Sequence, residues 1–239
     1  MKLTFLGTRG EIEKRTRRHR MHTSLLVSYR GANVMIDCGL DWLGKFEQLH
    51  PSAIVLTHAH PDHAWGLKHG APCPVYAPEK TWQELRHYPI KDRHAIKHRA
   101  PTKICGITFE AFPVEHSILS PAVGYQVSAG RARIFYAPDL IFIHERAAAL
   151  KGVQIYIGDG ATFTRSFIRR RGKALIGHSS VPTQLTWCEK ERVPRAIITH
   201  CGSEIVAGDE RKLSAKLREA AAERGIEARI SYDGMEVTL

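Results

Sequence analysis

The run His58-Ala59-His60-Pro61-Asp62-His63 gathers three imidazoles and a carboxylate within six positions. These are nitrogen and oxygen donors of the kind that hold divalent metal ions. The run directly follows Ala53–Thr57, an apolar stretch that reads as a buried strand. Where a chain leaves a strand, successive side chains point in different directions, so donors on one turn can feed two adjacent ions. Pro61 stiffens that turn and limits the entropy lost on binding. A His-x-His alone carries little weight; His-x-His-x-Asp-His after a buried strand points to a metal centre.

The elements that must position these donors can be read from apolar patterning and Gly-containing turns. Strands are expected at Leu3–Leu6, Ser24–Tyr29, Asn33–Ile36, Ala53–Leu56 and Val75–Ala77. A short helix opens at Trp65–Lys68 and a second covers Lys80–Tyr88. In the second half Ile104–Phe112, Val123–Val127, Arg133–Tyr136, Val153–Ile157, Ala174–Ile176 and Ala196–Thr199 read as strands. Helices are expected at His144–Leu150, at Val181–Lys190 before Pro194, and at Asp209–Arg224, which has an acidic start and Gly225 as its stop. Two mixed sets of strands, each followed by helices, suggest an α/β protein built as a four-layer αββα sandwich. With no repeat or linker in view, residues 1–239 read as one domain.

Composition narrows the class. Hydrophobic residues make up 43% and charged residues 25% of the 239, near the average for soluble globular proteins, which excludes disordered and collagen-like classes. No apolar stretch approaches the roughly 20 residues of a membrane span. Met1–Gly7 reads as a first strand rather than a signal peptide, so a cytoplasmic location without a membrane partner is expected. Cys38, Cys73, Cys105, Cys188 and Cys201 are scattered, odd in number and never spaced Cys-x-x-Cys, as expected of small buried hydrophobes. The net charge of +11 favours polyanions. Two basic clusters stand out, Lys14–Arg20 and a second from Arg165 through Arg169, Arg170 and Arg171 to Lys173.

The histidine run resembles the signature of the metallo-β-lactamase superfamily, and matches to that family's later motifs follow in order. His116 ends Pro113-Val114-Glu115-His116, Asp139 ends Tyr136-Ala137-Pro138-Asp139, and His200 lies in Ile198-Thr199-His200-Cys201. Asp37, in Met35-Ile36-Asp37-Cys38-Gly39, matches a supporting aspartate that accepts a hydrogen bond from a ligand histidine. The resemblance implies a metallo-β-lactamase-like fold and two divalent ions, zinc first, with manganese or iron as alternatives. His58, His60 and His116 would hold one ion, Asp62, His63 and His200 the other, and Asp139 both.

The superfamily hosts several chemistries, so the branch rests on other residues. His178, in Ile176-Gly177-His178-Ser179-Ser180 and preceded by Ala161-Thr162-Phe163, resembles the matching region of ribonuclease Z and of the cyclic phosphodiesterase of phosphonate breakdown. That resemblance implies hydrolysis of phosphodiesters in nucleic acids or small cyclic nucleotides by a metal-bridging hydroxide. In that scheme His178 assists the leaving oxygen, Asp159 orients His178, and Asp62 belongs to the catalytic set. Ser179, Ser180, Arg9 and His22 are expected to contact substrate, with Arg17, Arg18 and Arg20 lining a phosphate approach. The competing role for His178 is a cap on the helix that begins near Val181.

Two departures qualify the likeness. The interval from His116 to Asp139 has room only for a strand pair and a turn, too short for the tRNA-clamping arm of ribonuclease Z. The cysteine-rich additional zinc site of the cyclic phosphodiesterase also has no counterpart. Two rival functions use the same residues: a carboxylic ester, thioester or lactone hydrolase, and a basic nucleic-acid-binding module with a structural metal site. Partners expected for the phosphodiesterase are RNA or DNA and a second copy of the chain, as a homodimer.

Overall fold

In a computed structural model that describes residues 1–172 and 174–239, alternate residues of most central strands are buried on opposite faces. Ile134, Ile155 and Ile197 pack between two sheets, while their neighbours Phe135, Tyr156 and Ala196 face helices on the outside. In the first sheet Val34 and Val55 face inward, and Met35 and Ile54 face outward. Strands apolar on both sides need cover on both sides. Three separate cores follow, one between the sheets and one outside each, and these define the four αββα layers.

The first half supplies β1 (Lys2–Gly7), β2 (Ser24–Tyr29), β3 (Ala32–Ile36), β4 (Ala53–Val55), β5 (Val75–Pro78) and β6 (Arg93–Ile96). The second supplies β7 (Thr102–Ile104), β8 (Ile107–Glu115), β9 (Ala122–Ala129), β10 (Ala132–Tyr136) and β11 (Phe142–Ile143). It continues with β12 (Ile155–Asp159), β13 (Phe167–Arg171), β14 (Ala174–His178), β15 (Arg195–Thr199), β16 (Glu227–Ile230) and β17 (Met235–Thr238). One sheet runs β17-β1-β2-β3-β4-β5-β6; the other runs β11-β8-β9-β10-β12-β15-β16, with β7 also on β8. The β13–β14 hairpin stands apart as a two-stranded sheet. Helices α1 (Pro61–Ala64), α2 (Glu79–Glu84), α3 (Arg146–Ala149), α4 (Val181–Lys190), α5 (Ser203–Val206) and α6 (Glu210–Ala222) complete the elements used below.

Parallel pairing sets the functional edge. β3 runs parallel to β4 in one sheet, and β10, β12 and β15 run parallel in the other. Parallel strands end on the same side, which is where ligands gather in α/β sheets. Asp37, His58, Asp139, Asp159 and His200 all lie at or just beyond those ends.

The expected elements hold where burial is strong and shift where it is weak. β2 and α4 have the expected bounds, and α6 begins one residue after Asp209, whose side chain accepts from the Arg211 and Lys212 amides. The expected strand Ile104–Phe112 is instead two strands, because Cys105 and Gly106 both take positive φ and reverse the chain into a hairpin. Lys80–Tyr88 shortens to α2, and His144–Leu150 shortens to the single turn of α3. Val153–Ile157 moves two residues on, to β12. Unexpected strands β6, β13 and β16 are mostly exposed and charge-rich edge or hairpin strands, without the apolar alternation that marks a buried one. Lys173 lies outside the described residues. No helix among the described residues is long and apolar enough to cross a membrane.

Candidate metal centre

The turn that follows β4 is locked before any donor is considered. His60 caps α1, and the amides of His63 and Ala64 donate to its carbonyl at 3.0 and 2.9 Å. Pro61 occupies the first helical position, where no amide is needed. The Cys38 amide donates to the His63 carbonyl at 2.7 Å, tying this turn to the end of β3. The approach is so close that a Cβ on Gly39 would fall 1.9 Å from the Asp62 carbonyl oxygen, so only glycine fits.

Two non-glycine residues at this edge adopt left-handed backbone, Asp37 at φ 62° and His200 at φ 52°. Such conformations cost of order 1–3 kcal/mol and persist where surrounding contacts hold them. Asp37 is held by its own bonds: Oδ1 accepts from the Thr57 amide at 2.8 Å, and Oδ2 lies 2.9 Å from His63 Nδ1. The carboxylate thereby fixes the His63 ring with Nε2 turned inward. The Thr57 hydroxyl, 3.0 Å from His58 Nδ1, does the same for His58.

Donor atoms converge in two groups with Asp139 between them. His58, His60, His116 and Asp139 form one set, each offering an atom within 4.8 Å of the others, and Asp62, His63 and His200 form a second by the same measure. Asp139 Oδ2 lies 3.7 Å from Nε2 of His58, His63 and His200 alike. All of these side chains except His60 are buried. The fold brings together the seven residues expected from the sequence as ligands.

The polar accounting of this cluster fits bound cations. His58 Nε2 and His63 Nε2 are buried without a hydrogen-bond partner. Buried polar atoms are ordinarily satisfied, so two orphans facing one centre need another partner. His116 Nε2 and His60 Nδ1 face each other at 3.2 Å, a contact between ring nitrogens that a shared ligand would explain equally well. Burial and neighbouring imidazoles push His58 well below its ordinary range and His60 down to about 4, so both present the neutral, ligating form. Burial opposes ionisation of Asp62 and Asp139, yet the surrounding histidines outweigh it and hold both carboxyls well below the usual range.

His178 stands beside this cluster. Its Nδ1 lies 2.9 Å from Asp159 Oδ2 and 2.9 Å from Asp139 Oδ1. Burial alone would lower it, but the two carboxylates raise it to about 11. The helix-cap alternative does not describe this residue, because Ser180 occupies the cap of α4 and the His178 ring is turned to Asp159. Asp159 is fully buried and accepts from the Leu140 and Ala161 amides at 3.1 and 2.8 Å; it also lies 3.4 Å from His200 Nδ1. One carboxylate thus braces both His178 and His200.

A cavity of about 770 Å³ opens over these residues, lined among others by His60, Asp62, His116, Asp139, His178 and His200, with Phe167, Ile176 and Gly177 on one side. The four expected substrate contacts do not line it. The Arg9 guanidinium is buried, paired with Asp41 and donating to the carbonyls of Gly10 and Ile12. His22 is buried behind it, its Nδ1 accepting from the Asp41 amide at 3.2 Å, and burial and Arg9 push its pKa down to about 4. Ser179 and Ser180 are buried at the start of α4, the Ser179 amide donating to Leu140 and the Ser180 amide accepted by the Ser166 hydroxyl. All four support the fold rather than face the cavity. Of the first basic cluster, Arg15 pairs with Asp41, and Arg18 pairs with Glu210 and lies over the Tyr232 ring.

Other supporting residues had no visible signal. Gln184 accepts from the Asp159 amide at 2.9 Å and donates to the Asp159 carbonyl at 2.7 Å, although 25 residues separate them. Ser120 accepts from the Ala59 amide at 3.0 Å. Thr57 was legible only as a strand residue, though its position one before a ligand histidine is the kind of signal that could have found it.

Comparison with known proteins agrees with this architecture. Residues 32–201 match the family model described as the beta-lactamase superfamily domain. The chain therefore belongs to the metallo-β-lactamase superfamily. It is 30% identical over 153 residues to a ribonuclease Z of Methanococcus maripaludis, covering 52% of this chain and 48% of that protein. The chain thus spans about half the length of the curated relatives it matches. Its fold is similar to that of the metallo-β-lactamase fold protein YhfI from Bacillus subtilis, at a TM-score of 0.79 and 15% identity over 99% of this chain and 98% of the other. It is also similar to a diphosphatase of the PhnP family, at a TM-score of 0.73 and 21% identity over 100% and 97% of the two chains.

Proposed function

We propose that this protein is a dinuclear metal-dependent phosphodiesterase acting on nucleic acids or small cyclic nucleotides. The observation that carries the reading is His178, held between Asp139 and Asp159 at the wall of the cavity and next to the donor cluster. The ribonuclease Z relatives and the PhnP-family diphosphatase lend the same direction.

His58, His60 and His116 would hold one ion, Asp62, His63 and His200 the other, and Asp139 would reach both. Zinc suits this donor set best, with manganese or iron as alternatives. When bound, such ions supply Lewis acidity that activates water and offsets charge on phosphate oxygens. The protein's own residues do the rest. Asp37 and Thr57 fix the rings of His63 and His58, which keeps the donors in place without further ordering. With Nδ1 committed to Asp159, His178 offers Nε2 to the departing oxygen and donates the proton that the alkoxide needs. Asp159 holds the ring in that orientation and Gln184 holds Asp159. A cytoplasmic setting completes the proposal, in keeping with thiols that are unpaired among the described residues.

The test is hydrolysis of bis(p-nitrophenyl) phosphate by protein loaded with zinc or manganese, with metal content measured on the same sample. Turnover is expected, and on a phosphodiester with an alkoxide leaving group His178→Ala should lose most activity while keeping its metals. Good turnover of a lactone or thioester, no turnover of any phosphodiester, and indifference to His178→Ala would together favour the ester-hydrolase reading instead.

A further inference from the structure

The second arginine cluster lies on the β13–β14 hairpin, which leads straight into His178. Phe167 pairs with His178, Arg169 with Ile176, and Arg171 with Ala174. Directly paired residues of antiparallel strands project to one face, and so do alternate residues along a strand. Phe167, Arg169 and Arg171 therefore share the face of His178, in a row with steps of about 6.7 Å. Phe167, Ile176 and Gly177 line the cavity, so this face continues the cavity wall outward. Gly177 anchors it: its amide donates to the His116 carbonyl at 3.0 Å, and a Cβ there would fall 1.8 Å from the Phe167 carbonyl oxygen.

The chemistry of the row is unusual for a solvated strand. β13 is exposed along its whole length, with Phe167 48% exposed. The Arg169 guanidinium lies 4.6 Å from the centre of the Phe167 ring. Among the described residues no carboxylate pairs with Arg165, Arg169, Arg170 or Arg171, whereas Arg99, Arg146 and Arg18 all find one. Unpaired guanidinium groups attract phosphates irrespective of sequence. An exposed aromatic ring at the mouth of a phosphodiesterase cavity offers a stacking surface to a base, provided that the base is not already paired.

We propose that this face of the hairpin is a track for single-stranded nucleic acid. The base next to the scissile phosphate stacks on Phe167, and the following phosphates lie along Arg169 and Arg171. The proposal rests on the phosphodiesterase reading and narrows it, from any phosphodiester to a strand several nucleotides long. A mononucleotide reaches Phe167 but not Arg171. A duplex buries its base faces and gains only the charge term.

Binding can be separated from turnover by fluorescence anisotropy, using metal-loaded protein and a labelled, hydrolysis-resistant phosphorothioate strand of about a dozen nucleotides. Phe167→Ala should weaken binding roughly 5- to 150-fold, the range for loss of one stacked base, with an unchanged salt slope. Arg169→Ala with Arg171→Ala should weaken binding and reduce the slope of log K against log salt by about 1.4, two single-strand phosphates. Arg169→Lys with Arg171→Lys should restore most of that slope, and metal content with the thermal midpoint checks that each variant is folded. Parent-like binding by the folded alanine variants would overturn the track, as would equal affinity for the matching duplex. Binding that depends on Phe167 and both arginines, in a protein that cleaves no phosphodiester, would keep the track and remove the phosphodiesterase reading.

Discussion

Asp159→Asn tests how His178 is used. The substitution keeps the shape of the side chain and one acceptor oxygen but removes the charge. Asp159 is fully buried and lies 2.9 Å from His178 Nδ1, so little water is available to replace it. A hydrogen bond to a charged partner contributes about 1.5–3 kcal/mol, which corresponds to roughly 10- to 150-fold in rate if the bond matters most when the proton is delivered. Asp139, also at 2.9 Å from the same nitrogen, retains part of the electrostatic support and argues for the lower half of that range. The loss should depend on the leaving group. A phosphodiester with an alkoxide leaving group needs the proton and should suffer the full effect in kcat, whereas p-nitrophenolate departs readily and should suffer little. His178→Ala should show the same dependence, and the double variant should be no worse than His178→Ala, because the two residues act as a unit. Steady-state kinetics on both substrates, with metal content measured in parallel, decide the matter. Equal losses on both substrates, or additive losses in the double variant, would refute proton delivery through this pair.

Other expectations concern the scaffold and the ions. Gly39→Ala places a methyl group against the Asp62 carbonyl and should cost about 1–3 kcal/mol, the range for overpacking, read as a fall in the thermal midpoint together with weaker retention of metal. Zinc at 100 times its dissociation constant should stabilise the fold by about 2.7 kcal/mol in thermal scans, and His58→Ala should reduce that increment. His19 is buried, and burial followed by Arg18 pushes its pKa down to about 4 from 6.5. Its neutral form is the folded form, so its contribution is full above pH 6.5 and is lost as pH falls toward 4. Between those limits the loss approaches about 3 kcal/mol, and His19→Gln should flatten the urea-measured stability over that window by a comparable amount.

The donor residues were legible because each lies at the end of an apolar strand or on the turn that follows it, where a polar residue interrupts a pattern that burial dictates. The same rule fixed β10 and β15 closely, since strands buried on both faces have few alternatives, and also β2, whose buried Leu25 and Val27 alternate with half-buried neighbours. Legibility failed where the pattern was set by partners distant in sequence. Arg9 looks like a phosphate contact in a basic loop, but Asp41, 32 residues later, captures its guanidinium. Ser179 and Ser180 follow the right histidine, yet α4 begins there and turns both into the interior. The Asp159–Gln184 brace has no local mark at all, because neither spacing nor composition distinguishes Gln184 from any other helix residue.

The β13–β14 hairpin shows why charge runs need a structure before they gain a meaning. In sequence, Arg169-Arg170-Arg171 has no direction, and a solvated loop accounts for it as well as a binding surface does. Strand pairing divides the run: Arg169 and Arg171 fall on the face of His178, while Arg170 falls on the other with Ile168. That division comes from the two-residue period of a strand combined with a register that sets Phe167 against His178. A slip of one residue would exchange the faces and leave Ile168 and Arg170 toward the cavity. The close contact of Gly177 with the Phe167 carbonyl, which no larger residue tolerates, suits this register. On the proposed reading the histidine run marks where the chemistry takes place, and the hairpin register turns Arg169 and Arg171 to its side.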